Sequence, residues 1–200
     1  MVTRSELKDR ALNSLEGKWG SAAIFTLVYY VIIGLCGGFS TFIQDHSPGT
    51  GVSTLLAVLV ELPLAWGFTV YFLDLVRQKP VSMGYLARGF SDYVRIFLTI
   101  LLMGIYICLW TLLLIVPGVI KTYSYSMTYY ILKDNPELSY DAAINKSMEM
   151  MRGHKMELFL LDLSFLGWWI LSILTLGIGF LFLNPYYQTT RSHFYEELKN

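Results

Sequence analysis

The chain has 200 residues, 54% of them apolar and 16% aromatic, with a mean hydropathy of +0.49. Charged residues make up only 15%, against about 25% in an ordinary soluble domain. The net charge is zero, so neither a water-soluble globule nor an electrostatic nucleic-acid binder is expected.

The placement of the charges is more telling. Of the fifteen Lys and Arg residues, fourteen fall in the stretches 1–20, 77–95, 133–157 and 191–200, and the exception is Lys121. In chain order, 1–20 comes first. Leu7, Ala11 and Leu15 recur at i, i+4, i+8, and Thr3 with Glu6 fits a capping box, which predicts an amphipathic helix. Ser21–Ile43 follows, 23 residues without a charge. It is too long for a signal-peptide core and ends in no small-x-small cleavage site, so it reads as a membrane span. Val52–Leu73 has 22 residues and one charge, Glu61, with Pro63 just behind it. After the second basic segment, 78–95, Ile96–Leu132 runs 37 residues with only Lys121. The third basic segment, 134–157, begins its helix at Ser139 and stops at Gly153, with Ile144, Met148 and Met151 as the apolar stripe. Leu158–Thr190 then runs 33 residues with only Asp162.

A membrane-crossing helix needs about 20 residues, so the two longest runs, roughly 50 Å or more as single helices, must each be broken. Pro117-Gly118 and Gly177-Ile178-Gly179 supply the breaks. The expected fold is therefore all-α: a polytopic transmembrane helical bundle forming one integral membrane domain over 1–200. Its spans lie at about 21–43, 52–76, 96–116, 118–133, 158–175 and 178–196. They form three helical hairpins, each preceded by a cytoplasmic amphipathic helix (1–20, 78–95, 134–157). A re-entrant 118–133, or five spans, is the alternative. Six spans place both termini and every basic stretch on one face, the cytoplasmic one by the positive-inside rule. The outer face then receives Gln44–Gly51, the Pro117 turn and Thr175–Gly177. The three units share a weak internal likeness, with Gly17-Lys18-Trp19 matching Gly153-His154-Lys155 and Gly89-Phe90-Ser91-Asp92-Tyr93 a looser counterpart. Cys36 and Cys108 lie in apolar spans and read as small buried hydrophobes. Gly34, Gly37 and Gly38 suit close helix packing, within the chain or between copies.

Several ordered stretches carry a family resemblance. They are Leu114-Ile115-Val116-Pro117-Gly118-Val119-Ile120; Tyr130 through Ser139, with Ala143-Ile144 and Ser147; Met151-Arg152-Gly153-His154-Lys155; Leu163 through Trp168; Thr175 through Gly179; Pro185-Tyr186; and Phe194-Tyr195. With Arg88-Gly89-Phe90 as a looser upstream element, the chain resembles the DUF975 family of bacterial integral membrane proteins. That resemblance implies a bacterial cytoplasmic membrane, and it implies no reaction, ligand or catalytic residue.

Ionisable groups inside a membrane are candidates for function. Glu61 and Lys121 differ in depth, yet a lysine stem can reach toward the carboxylate. Asp162 and Arg191 share a depth on consecutive helices and suit an ion pair. The alternative to function is that these groups fix helix register or snorkel to the interface. Tyr123 and Tyr125 head a hydroxyl-rich stretch, with Thr122, Ser124, Ser126, Thr128, Tyr129 and Tyr130, that suits either a polar cavity or interhelical bonding under an aromatic belt. The candidate binding residues are thus Glu61, Lys121, Tyr123, Tyr125, Asp162 and Arg191. No phosphate-binding loop, nucleophile elbow or paired-Cys metal motif occurs, and His46, His154 and His193 are far apart. No catalytic residue, cofactor or metal is expected. The leading expectation is a non-enzymatic membrane scaffold, sensor or assembly factor meeting anionic lipid at its cytoplasmic face, with a second copy or another membrane protein as partner. The alternative is a small-solute or ion transporter component using Glu61 and Lys121.

Overall fold

The structure is a computed structural model that describes residues 2–46 and 52–199; most of the expected outer loop Gln44–Gly51 lies outside them. The helices are α1 (Arg4–Leu15), α2 (Trp19–His46), α3 (Val52–Val76), a 3-10 helix (Met83–Phe90), α4 (Tyr93–Leu113), α5 (Ile115–Ser124), α6 (Thr128–Asp134), α7 (Tyr140–Met150), α8 (Lys155–Leu163), α9 (Leu166–Leu174) and α10 (Phe180–Lys199). No strand occurs among the described residues. Four stretches are long and apolar enough to cross a membrane: Trp19–Gly38, Ala57–Val76, Tyr93–Leu113 and Lys155–Leu174. The two other expected spans do not meet that standard. The 118–133 run is interrupted at Tyr125–Met127, and α10 carries Arg191, His193, Glu196 and Glu197 in its second half.

Burial sorts the apolar helices. Two thirds of the α3 stretch is buried (67%), but only 17% of those in α2 and α4, so α3 is the central helix and α2 and α4 turn most of their surface outward. Phe25 stacks on Tyr71 (3.7 Å) and Tyr29 on Phe68 (4.3 Å), joining α2 to α3. Tyr130 stacks on Tyr195 (4.9 Å), joining α6 to α10. Outward-facing Leu35, Leu109, Leu112, Ile115, Leu174 and Leu176 are each more than half exposed. That is far more apolar surface than a water-soluble monomer tolerates. These helices suit a multi-pass membrane protein.

Local chemistry explains the joints. Pro63 has no N–H, so within α3 the Leu59 carbonyl loses its helical donor; the Tyr93 hydroxyl donates to it instead, at 3.1 Å. Gly89 lies where a Cβ would fall 2.8 Å from Pro63 Cα, so the 3-10 helix presses directly on the kinked turn. The expected break at Pro117-Gly118 occurs three residues earlier, at extended Leu114. Pro117 sits in the first turn of α5, where a missing N–H costs nothing. Gly118 serves contact instead: a Cβ there would fall 2.8 Å from Thr111 Cα of α4. At the other break the chain turns through left-handed Leu176 and Gly177, and Gly179 passes so close to Ser172 that a Cβ would fall 2.7 Å from its Cα.

The segments expected to be amphipathic all pack on the bundle. Leu7, Ala11 and Leu15 are buried as their spacing predicts, and Thr3 Oγ1 accepts the Glu6 N–H at 3.3 Å. α1 packs on α10, the 3-10 helix on α3, and α7 on α4 and α6. The second segment is a 3-10 helix with Tyr85, Leu86 and Gly89 buried, not an α-helix lying in the interface. In α7 the buried set is Ala143, Ile144 and Ser147, with Met148 only half-buried. The glycine match is real in one respect: Gly17 and Gly153 both adopt positive φ (71° and 87°) two residues before a helix begins. Gly89 does not share this conformation. Cys108 is exposed on the bundle surface rather than buried. A Cβ on Gly34, Gly37 or Gly38 would meet nothing within 4 Å, so these glycines pack against no helix of their own chain.

Candidate functional site

The break between α5 and α6 opens a chamber of about 240 Å³ in the bundle. Tyr125 and Ser126 of the break line one wall, with Thr122 before them and Tyr129 and Tyr130 after. Thr69 of α3, Met103 and Ile107 of α4, and Gln188 and Arg191 of α10 close it. The wall is hydroxyl-rich because successive turns here carry Thr, Ser and Tyr. Thr69 and Thr122 donate to carbonyls of their own helices and Ser126 to the Tyr123 carbonyl of α5, leaving oxygen lone pairs free to accept. The Tyr125 and Tyr129 hydroxyls have no hydrogen-bond partner among the described residues.

Arg191 is the one cation lining this chamber. Its Nη1 donates to the Tyr187 hydroxyl (3.0 Å), which in turn donates to Asp162 Oδ1 (3.0 Å). The expected Asp162–Arg191 pair is therefore real as an association but indirect, with a tyrosine between the charges. Tyr123 faces the same Asp162 carboxylate. Arg191 Nε is buried without a hydrogen-bond partner. A buried donor left unsatisfied is costly.

The Glu61–Lys121 pair is not formed. α5 packs against α4 and α8, which carries Lys121 away from α3. Lys121 Nζ lies 5.0 Å from the Trp110 ring and 5.8 Å from that of Tyr125, and donates to Met148 Sδ at 3.6 Å. Glu61 is half-buried, within electrostatic reach of Tyr29, and makes no ion pair among the described residues. Neither residue lines the chamber. Of the six candidates, Tyr125 and Arg191 line it, Tyr123 and Asp162 stand behind it, and Glu61 and Lys121 lie elsewhere.

A second polar assembly closes the end of the bundle where α3, α6 and α10 terminate. Arg77 makes a bidentate bond to Asp134 (both 2.6 Å) and a further one to Glu196 (2.6 Å). Asp134 also accepts from the Tyr195 hydroxyl (3.0 Å) and Lys199 (2.9 Å). Burial alone would raise the Asp134 carboxyl, but the Arg77 and Lys199 hydrogen bonds outweigh it and hold it well below the ordinary carboxylate range. Nearby, Asp74, only 2% exposed, is ringed by Lys133, Lys79 and Arg88. Burial and this carboxylate push the Tyr85 hydroxyl up, so it stays protonated and donates to Asp74 Oδ2 at 3.0 Å. Arg10 bridges Glu6 and Glu197, tying α1 to α10. No group of His, Cys, Asp and Glu able to hold a metal ion occurs among the described residues.

A family model described as "Protein of unknown function (DUF975)" matches residues 1–124 and 112–200. The chain belongs to the DUF975 family. No curated protein and no solved structure matches it. In this DUF975 chain the most connected charges, Asp74, Arg77 and Asp134, escape a search for ionisable residues inside spans. They sit at span ends, where charge is ordinary. The available signal was their order: each lies within the last turn of an apolar run, or just past it, and those ends must converge if the helices pack side by side.

Proposed function

We propose that this protein is a multi-pass protein of the bacterial cytoplasmic membrane that takes a small anionic solute into the chamber beside Arg191, acting as a transporter or as its binding component. Both termini are cytoplasmic in this reading. In this reading six helical segments form three pairs, and the fold acts by binding rather than by catalysis. The basic stretches at the charged end would meet anionic lipid there.

The observation that carries the reading is the hydroxyl-lined chamber with Arg191 as the cation among its lining residues. Its volume of about 240 Å³ falls below the roughly 300–1,000 Å³ of drug-sized ligand sites, which suits a small solute. A guanidinium in low dielectric favours a carboxylate or similar oxyanion, and the tyrosine hydroxyls supply further donors. The scaffold reading is less well supported. The apolar faces of α1 and α7, its candidate docking elements, are occupied by the protein's own helices. Glu61 and Lys121, on which the earlier transport reading rested, are not part of the proposed site.

The test is thermal unfolding of the protein in lipid nanodiscs titrated with acetate, lactate and succinate, beside mass spectrometry of co-purified solutes. At least one carboxylate should stabilise the wild type, and Arg191→Lys should weaken that effect about tenfold by losing the planar fork. Glu61→Gln should leave it unchanged. If carboxylates and co-purified solutes bind Arg191→Gln as well as wild type, the reading is wrong.

A further inference from the structure

We infer that Lys79, Arg88 and Lys133, gathered around Asp74, form a binding site for a phosphate group. The three cations come from three different elements: the turn after α3, the 3-10 helix and α6. Lys133 Nζ and Arg88 Nη1 approach the same oxygen, Asp74 Oδ2, at 3.2 and 3.5 Å, while Lys79 Nζ stands 3.4 Å from Oδ1. All three contacts are ion pairs; among the described residues the Asp74 carboxylate accepts its side-chain hydrogen bond from the Tyr85 hydroxyl at Oδ2, and Oδ1 accepts none. One carboxylate thus faces three cations, and no other acidic group pairs with any of them among the described residues. The cluster keeps two uncompensated positive charges.

Its geometry suits an external anion better than a closed structural pair. Asp74 is 2% exposed, but the Lys79 and Arg88 side chains are 53% and 43% exposed, so the carboxylate lies beneath and the cations face outward. Two donors that share one carboxylate oxygen are held within a few ångströms of each other, a spacing that the oxygens of one phosphate can bridge. The fork of Arg88 is pre-oriented by stacking on Tyr85, 3.5 Å from the ring centre, and Tyr85 is itself anchored on Asp74. Lys79 is turned back by Gln78, a non-glycine residue at φ 56°, whose conformation lets the Lys79 N–H bond the Asp74 carbonyl at 2.9 Å. Asp74 is therefore a template that assembles the cations rather than a partner that exhausts them. The cluster lies at the end of the Ala57–Val76 stretch, the depth of lipid headgroups. An anionic phospholipid headgroup and a soluble phosphate ester present the same chemistry.

The experiment compares the full chain in nanodiscs of phosphatidylcholine alone and of phosphatidylcholine with phosphatidylglycerol, and adds inorganic phosphate or glycerol 3-phosphate to the first. Native mass spectrometry reads retained lipid, and thermal unfolding reads stabilisation. Lys79→Gln/Arg88→Gln removes the two exposed cations and should keep the fold; Lys155→Gln is the control for a basic residue elsewhere. The wild type and the control should retain phosphatidylglycerol, and the double variant should retain about tenfold less. Stabilisation by inorganic phosphate or glycerol 3-phosphate, lost in the double variant, would also support the site and assign it to a soluble ligand. Retention and stabilisation equal in the double variant and wild type, or absent in both, would overturn the inference.

Discussion

The two ends of the bundle are built on opposite principles. Where α3, α6 and α10 terminate, Arg77, Asp134, Glu196, Tyr195 and Lys199 bond one another across three helices. At the far end, the turns at Leu114 and Leu176 display mainly aliphatic side chains and no charge, with Leu112 78% and Leu176 95% exposed. One end gains its specificity from directional bonds between chain segments far apart in sequence. The other has only close backbone contact, Gly118 on Thr111 and Gly179 on Ser172, and otherwise faces its surroundings. Relative position is therefore fixed at the charged end, while each helix pair is free to adjust to the bilayer at the apolar end.

The difference can be broken most severely at Asp134. Asp134→Ala leaves Arg77 and Lys199 without their shared carboxylate and should cost about 3–5 kcal/mol, as for other partly buried ion pairs that lose one partner. Unfolding in mild detergent would measure it. The joint replacement Arg77→Met/Asp134→Leu should cost clearly less than the two single changes summed; additive costs would show that the pair is not a unit. The acid response follows from the sign of the shift. The Asp134 carboxyl is held below its ordinary value, so its stabilisation is complete above the unfolded pKa of about 3.9. It is lost only as pH falls through the lower folded value. Asp134 should thus contribute no loss of melting temperature between pH 7 and 5. Burial holds the His193 imidazole below its ordinary value, so the comparison is made in a His193→Gln background. There, a steep fall in that window that is lost on Asp134→Asn would contradict the geometry.

The apolar end tests differently. Leu176→Arg should cost about 2.5–3.5 kcal/mol if that turn lies in hydrocarbon, and near zero if it reaches water, so a single stability measurement in nanodiscs fixes its depth. Gly118→Ala should cost about 1–3 kcal/mol by forcing α4 and α5 apart, whereas Gly34→Ala, with open space around it, should cost nothing measurable. Tyr93→Phe strips the Leu59 carbonyl of its substitute donor and should cost about 1–2 kcal/mol. One change should be a gain: Leu176→Gly relieves a left-handed non-glycine residue, a strain of about 1–2 kcal/mol offset by about 0.5–1 kcal/mol of glycine backbone entropy, visible as a small rise in melting temperature.

Much of the fold was legible in the sequence because bilayer and helix impose strong periodic rules. The burial of Leu7, Ala11 and Leu15 follows from spacing alone, and the need for an outside donor follows from Pro63. The division of the two longest runs was also readable, though not that Leu114 rather than Pro117 makes the turn. What stayed hidden depends on which helices become neighbours. Lys121 pairs with aromatic rings rather than Glu61 because α5 leans on α4. Tyr187 stands between Asp162 and Arg191 because its position on α10 faces both. The chamber arises from a three-residue interruption at Tyr125–Met127, where the sequence has no proline or glycine to announce it.

The seating of α1 on α10 bears on biogenesis. The ribosome delivers the first helix early and its binding surface last. Until Phe194 and Glu197 emerge, α1 lacks its main docking surface and has only its smaller contacts with α3 and the α8–α9 joint. A chain truncated before Phe180 would lose the α10 surface shared by α1, α2 and α3, leaving the apolar stripe of α1 uncovered.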